Sequence, residues 1–324
     1  MPFQIIRNDI TKVKADAIVN TANPEPVYGR GTDSSIYQAA GAQELLKERV
    51  KIGRIERGEA KATPAFNLDA KYIIHTVGPR WEGGKGGELE TLRNCYKNSL
   101  KLAAELGCGS VAFPLIAAGT YGFPKDEALS IAMSEISAFL MKEDSDMEIT
   151  LVVYDPTAFR LSKNLFMEIE SFIDDEDVKL AHMHDYDLPY GSNVSRRLNR
   201  REEPPKQEFL PASECIFRDR LIVLMNEKGM DNTAVYKGAN VSKGAFSKIM
   251  CGDTKIPKKD AVMGFCISMK LNRSEAADLM ASAGWAFNPY DRRDRIIERL
   301  LISGKDIFEV NEALFAADFS CLGY

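Results

Sequence analysis

Short β-rich runs and helical patterns take turns through the first 175 residues, and this alternation limits the fold more than any other feature of the chain. Residues 3–6 and 17–20 have strand character, and the second run is apolar enough for a central strand. The spacing predicts a helix over residues 33–50. Residues 72–77 are again strand-like and stop at Gly78-Pro79. Residues 89–106 have helical spacing and end at Gly107, a C-cap glycine. Residues 110–115, 125–141, 148–154 and 157–173 continue as strand, helix, strand and helix. Such a pattern predicts an α/β unit with a largely parallel sheet and helices on both faces. Ligands in such sheets sit beyond the carboxyl ends of the strands.

The texture then changes. Asp174-Asp175-Glu176-Asp177 is acidic, and residues 195–205 contain Arg196, Arg197, Arg200 and Arg201 before Pro204-Pro205. Residues 176–212 are expected to be a charged, Pro-containing linker. From residue 213 the pattern is wholly helical. Helices are expected over 217–227, 232–238, 242–250, 258–270, 273–282, 291–302 and 306–317, with Ser242 and Asn272 as N-caps. The expected organisation is an α/β domain over 1–175, a linker, and a smaller all-α domain over 213–324. Charge divides the same way: residues 1–194 carry a net −8 and residues 195–324 a net +3. A mildly basic second half permits a nucleic-acid partner.

Several classes are disfavoured. No run of about 18 apolar residues marks a membrane span. Met1-Pro2-Phe3-Gln4 lacks the basic-then-apolar opening of a signal peptide, so the expected place is the cytoplasm. The six cysteines form no CxxC pair, so neither a metal nor a cofactor is expected from spacing, and the thiols are expected to be reduced.

Two loops carry the chemistry. The first, residues 20–33, is Asn20-Thr21-Ala22-Asn23-Pro24-Glu25-Pro26-Val27-Tyr28-Gly29-Arg30-Gly31-Thr32-Asp33. The second is Leu115-Ile116-Ala117-Ala118-Gly119-Thr120-Tyr121-Gly122-Phe123-Pro124. Each leaves a strand and opens a helix. Glycines let backbone N–H groups converge on an anion, and a helix N-terminus adds its positive end. Two such loops at adjacent strand ends can clamp a diphosphate.

With Asn8-Asp9-Ile10-Thr11, Gly58-Glu59-Ala60 and Tyr72-Ile73-Ile74-His75-Thr76-Val77-Gly78-Pro79, these stretches resemble the macrodomain family over almost the whole first half. The resemblance implies a three-layer fold with a mixed, largely parallel sheet, and a site for ADP-ribose. Asp9 would accept from the adenine amino group, beside the backbone of Ile10, and Tyr154 would pack against the adenosine half. Gly29, Arg30, Gly31, Ala118, Gly119, Thr120 and Tyr121 would wrap the diphosphate and distal ribose. Asn23 would bond the distal ribose hydroxyls, with Asn20 as a ligand or a brace of the loop. His75, inside a strand, is expected to be structural.

Hydrolysis of an ADP-ribosyl bond needs a positioned water and a group to orient or deprotonate it. In the hydrolytic relatives that group follows the glycine loop, which assigns Asp33 and, beside it, Asn23. Asp33 also suits a helix N-cap, and the two roles are compatible. Arg30 departs from the relatives' run of glycines, and its guanidinium either turns to solvent or pairs with phosphate. Ala117 and Ala118 replace hydroxyl residues common there. The partner would be ADP-ribose or an ADP-ribosylated macromolecule. The rival readings are a non-catalytic ADP-ribose sensor coupled to a DNA-binding helical domain and the antitoxin of an ADP-ribosylating toxin.

Residues 217–283 are similar, less specifically, to phage-repressor-like helix-turn-helix regulators. The resemblance places Ser242, Lys243, Ser247 and Lys248 at double-stranded DNA, with Phe246 and Ile249 as core anchors. A helical bundle that binds protein, or only packs on the first domain, is the other reading.

Overall fold

A computed structural model describes residues 3–142, 146–154 and 216–323. The linker expected over 176–212 and the helix expected over 157–173 lie outside them.

Six strands form one sheet: β1 (Phe3–Arg7), β2 (Ala17–Thr21), β3 (Ala60–Pro64), β4 (Tyr72–Thr76), β5 (Ser110–Pro114) and β6 (Glu148–Val153). Their order is β1-β6-β5-β2-β4-β3. All neighbours run parallel except β3, which pairs antiparallel with β4 at the edge. The sheet is therefore mixed and largely parallel. Sequence alternation missed β3, whose Ala-Lys-Ala-Thr-Pro has little apolar content. An edge strand with one solvated side has no need of more, and it tolerates Pro64.

Side chains alternate between the two faces, as the period of two requires. Val111 and Phe113 point into a core built on α3 (Glu88–Glu105) and α4 (Lys125–Lys142). Ile18, Ile73, Ala112 and Val152 point the other way, onto Ile36, Tyr37 and Ala40 of α1 (Thr32–Ala40) and Leu45 of α2 (Ala42–Ile52). The single helix expected over 33–50 is broken at Gly41, whose φ of 105° suits glycine. This bend lets both short helices follow the sheet.

Among the described residues seven helices make the second unit: α5 (Ile216–Lys228), α6 (Asn232–Gly238), α7 (Lys243–Met250), α8 (Lys259–Ser268), α9 (Arg273–Ser282), α10 (Arg292–Ile302) and α11 (Ile307–Ala316). Ser242 and Asn272 cap α7 and α9, as their spacing predicts. Among the described residues, no helix is long and apolar enough to cross a membrane.

The helical unit covers the outer edge of β1, which would otherwise leave unpaired backbone groups. Asn240, in the turn between α6 and α7, is buried at a φ of 55°. Its side-chain oxygen accepts from the Phe3 N–H at 2.7 Å, and its amide nitrogen donates to the carbonyls of Phe3 and Leu322, each at 2.8 Å. One side-chain amide thus replaces a strand residue. Phe3 stacks near Phe308 of α11, with ring centroids 5.5 Å apart. Arg7 pairs with Asp318 and lies over the ring of Phe315.

Removing the Asn240 amide strands the Phe3 N–H and two carbonyls in a buried joint. We predict that Asn240→Ala costs about 2 kcal/mol or more in urea unfolding. Asn240→Gly keeps the backbone conformation and should lose a similar amount. A glycine variant as stable as the wild type would show that the amide contributes nothing.

Candidate functional site

The loops after β2, β4 and β5, which are neighbours in the sheet, emerge at one edge. They enclose a cleft of about 310 Å³ lined by Thr21–Asn23, Gly29–Asp33, Gly78, Arg80, Leu115, Ala117 and Gly119–Tyr121. Of the residues singled out by sequence, Asn23, Gly29, Arg30, Gly31, Asp33, Gly119, Thr120 and Tyr121 meet here. Ala118 lies within the same loop but off the cleft wall.

Asp33 is the centre of the arrangement. It is 3% exposed and stands in the first turn of α1. It is not the N-cap: Gly31, at a φ of 64°, holds that position without a side-chain bond. The carboxylate instead reaches back over the loop. Its Oδ2 accepts from the Gly29 N–H at 2.6 Å and from Asn23 Nδ2 at 3.3 Å, and its Oδ1 accepts from Asn20 Nδ2 at 2.7 Å. A Cβ at Gly29 would lie 2.7 Å from Asn23 Nδ2, so a side chain here would push the Asn23 amide aside. Burial pushes the Asp33 pKa above the usual carboxylate range, against its three hydrogen bonds and the nearby Arg49 charge.

Asn20 is fully buried behind Asp33, so the structure makes it a brace of the acid and leaves it no face for a ligand. Asn23 has a foot in each camp. It lines the cleft, while its amide nitrogen holds Asp33 and the Val27 carbonyl at 3.1 Å.

Both loops carry free donors. Among the described residues, the backbone N–H groups of Arg30, Gly31, Ala118, Gly119, Thr120 and Tyr121 have no intramolecular acceptor. Unpaired N–H groups at a helix start and in a glycine loop are the physical make-up of an anion site. Ala117, at a φ of 62°, bends the second loop into place, a conformation uncommon outside glycine.

Sequence reasoning missed two contributors. Arg80 is exposed at the cleft, its guanidinium 5.7 Å from the Tyr121 ring centroid. Neither Arg30 nor Arg80 meets an acidic group among the described residues, so both cations are available to an anion. Arg49 of α2 is 1% exposed and donates to the carbonyls of Gly53, Asn23 and Pro24, the last two at 3.1 Å. It fixes the first loop from beneath. In sequence it is one charge among several on a helix.

The site extends along the sheet edge. Asp9 follows β1 and Tyr154 follows β6, three and two strands from β2, so Asp9 lies about 14 Å along from the first loop. Asp9 Oδ1 caps a single 3-10 turn by accepting from the Thr11 N–H and hydroxyl at 3.0 and 2.8 Å. Its Oδ2 takes no bond among the described residues and is left to accept. Ile10 is buried, with its N–H likewise unused. Tyr154 is 83% exposed and packs on nothing described.

His75 is fully buried on β4, which fits a structural place. Burial, with Arg49 nearby, pushes its pKa from the ordinary 6.5 down to about 3. Between those values the unfolded chain binds one proton more than the folded one. Stability therefore falls as pH drops through this window, by up to about 1.4 kcal/mol per pH unit. We predict that the stability difference between wild type and His75→Gln is constant above pH 7 and shrinks as pH falls to 4. A pH-independent difference in urea titrations would contradict this.

Comparison with known proteins places this geometry. A family model described as Macro domain matches residues 19–132. A macro domain-containing protein of Methanosarcina mazei is 43% identical over 167 residues, covering 52% of this chain and 89% of the relative. A protein of Citrobacter rodentium named O-acetyl-ADP-ribose deacetylase is 42% identical over 169 residues, covering 51% of this chain and 96% of the relative. A solved macrodomain of Oceanobacillus iheyensis, with ADP, is 37% identical, covers 48% of this chain and 84% of that one, and gives a TM-score of 0.45. Through its first half, this chain belongs to the macro domain family.

Proposed function

We propose that the cleft binds ADP-ribose and hydrolyses an ADP-ribosyl linkage, either the bond from the distal ribose to a macromolecule or the ester of O-acetyl-ADP-ribose. The observation that carries this is the buried Asp33 carboxylate at the wall of a cleft lined by free N–H groups. Relatives named O-acetyl-ADP-ribose deacetylase at 40–42% identity support it.

The diphosphate suits the two loops, with Arg30 and Arg80 adding charge at the mouth. The adenine amino group suits Asp9 Oδ2. This order puts the distal ribose at Asn23 and Asp33. In the glycosidic case, water forms its bond to the anomeric carbon as the bond to the leaving group breaks. Asp33 takes the water proton, and the leaving group departs with its electron pair. Asp33 must be ionised to do this. Its raised pKa makes it a stronger base than a solvated aspartate, at the cost of an acid limb at higher pH.

Asp33→Ala should lower turnover of a mono-ADP-ribosylated carboxylate substrate by about 10²–10⁴-fold. Calorimetric affinity for ADP-ribose should stay near wild type. In wild type, kcat/KM should fall on the acid side at a pH above the ordinary carboxylate value. Tight binding without turnover in the wild type would mean a reader of ADP-ribose.

A second reading, for the helical unit, is DNA binding through α7. It is favoured by the exposure of Lys243, Ser247 and Lys248 around the α7 axis, while Phe246 and Ile249 are buried as anchors. Glu148 lines the same groove as Ser242 and Lys248, so DNA entering there meets an acid of the first unit. Lys243→Ala and Lys248→Ala should each weaken duplex binding and reduce the salt slope by about one. Absence of wild-type binding at low salt would leave α7 a packing helix.

A further inference from the structure

The side chains behind Asp33 form a chain of hydrogen bonds that ends well away from the cleft. Asn20, on β2, places its Nδ2 at 2.7 Å from Asp33 Oδ1 and 3.2 Å from His75 Nδ1. His75 is the register partner of Asn20 on β4. Its Nε2 stands 3.0 Å from Thr63 Oγ1 on β3, and Thr63 is 3% exposed. Three adjacent strands thus supply one link each.

The proton inventory of this chain has only one consistent solution for an ionised Asp33. An amide nitrogen has two hydrogens and nothing to accept with. One hydrogen goes to the carboxylate and the other to His75 Nδ1. Nδ1 must then be the acceptor, which leaves the imidazole proton on Nε2, donated to Thr63 Oγ1. Turning the Asn20 amide over would set its Oδ1 against the Asp33 oxygen, tolerable only with a proton between them. Asn20 Oδ1 has no partner among the described residues, so the donors alone hold the amide in place. The orientation of Asn20 and the ionisation of Asp33 are therefore one choice.

We propose that His75 and Thr63 are positioning residues for Asp33: they fix the imidazole tautomer, which turns one Asn20 N–H onto the carboxylate and holds it ionised. This rests on the reading of Asp33 as the base of the cleft. The depressed basicity of His75 agrees with it, since the imidazole stays neutral wherever the enzyme would work. The titratable or charged groups facing Asp33 are Tyr37 on its own helix, Arg49 from α2, and His75 through Asn20. Arg49 favours the carboxylate. Tyr37 stays neutral, its pKa pushed up to about 12. Among the described residues no hydrogen bond joins either to Thr63, so a change at Thr63 reaches Asp33 through His75 and Asn20.

Thr63→Val tests the relay, because it keeps the shape of the strand residue and removes only the acceptor. Long-range ¹H–¹⁵N spectra of the full chain should show wild-type His75 as the Nε2–H tautomer. In Thr63→Val the ¹³C titration of the Asp33 carboxyl should move up by about half a pH unit or more. The acid limb of kcat/KM should move with it, ADP-ribose affinity should stay within about twofold, and Thr63→Ser should restore both. An Nδ1–H tautomer in wild type, or an unmoved Asp33 titration in Thr63→Val, overturns the proposal. The carboxyl titration needs no turnover, so an inactive wild type would sink the hydrolase and leave the relay decided by Asp33 alone. Should Thr63→Val fail to fold, the wild-type tautomer decides.

Discussion

The hydrogen bonds that converge on Asp33 are what the rest of the site depends on. One carboxylate joins the carboxyl end of β2, the glycine loop after it and the first turn of α1. Each partner is restricted by a different physical demand. Asn20 must be a buried amide because the carboxylate needs a donor there and His75 needs another. Gly29 donates its N–H to the acid, and a Cβ there would press on the Asn23 amide that also holds it. Burial opposes the charge and the donors sustain it, and the balance leaves Asp33 more basic than a surface aspartate. Arg49 fixes the loop from below through the carbonyls of Asn23 and Pro24, so the cleft wall is held from two sides.

The joint between the two units obeys the same logic. A sheet edge cannot be buried with its backbone groups unpaired. At β1 a single asparagine side chain answers both the N–H and the carbonyl of Phe3. That asparagine sits in the turn of the α6–α7 pair, and β1 leads directly to Asp9. Movement of the helical unit would therefore act on the strand that leads to Asp9. Glu148 of the first unit lines the groove beside α7, so the two units share that surface.

Much of this was legible from the residues. Strands β1, β2, β4, β5 and β6 follow from apolar period, and the loops after β2 and β5 follow from glycines placed between strand and helix. Asp33, Asn23 and the second loop could be named from those patterns together with the family resemblance. Other features left no mark in one dimension. The edge strand β3 is too polar for its period to show, and the break at Gly41 interrupts no apolar pattern. Asp33 looks like an N-cap because capping and hydrogen bonding to a preceding loop favour the same residue type at nearly the same place. Asn20 falls at the start of the first loop in sequence, yet it is the penultimate residue of β2 and is buried against Asp33. Arg49, Arg80 and the link from His75 to Thr63 depend on strand order, and strand order is not a local property.

The central claim, that the cleft sets the distal ribose of ADP-ribose against Asp33, is tested most directly by a crystal structure with ADP-ribose bound. The account predicts the diphosphate between the loops after β2 and β5, the adenine amino group on Asp9, and a water within hydrogen-bond reach of Asp33 and close to the anomeric carbon. A ligand bound elsewhere, or a distal ribose turned away so that Arg30 and not Asp33 faces the anomeric carbon, would contradict it.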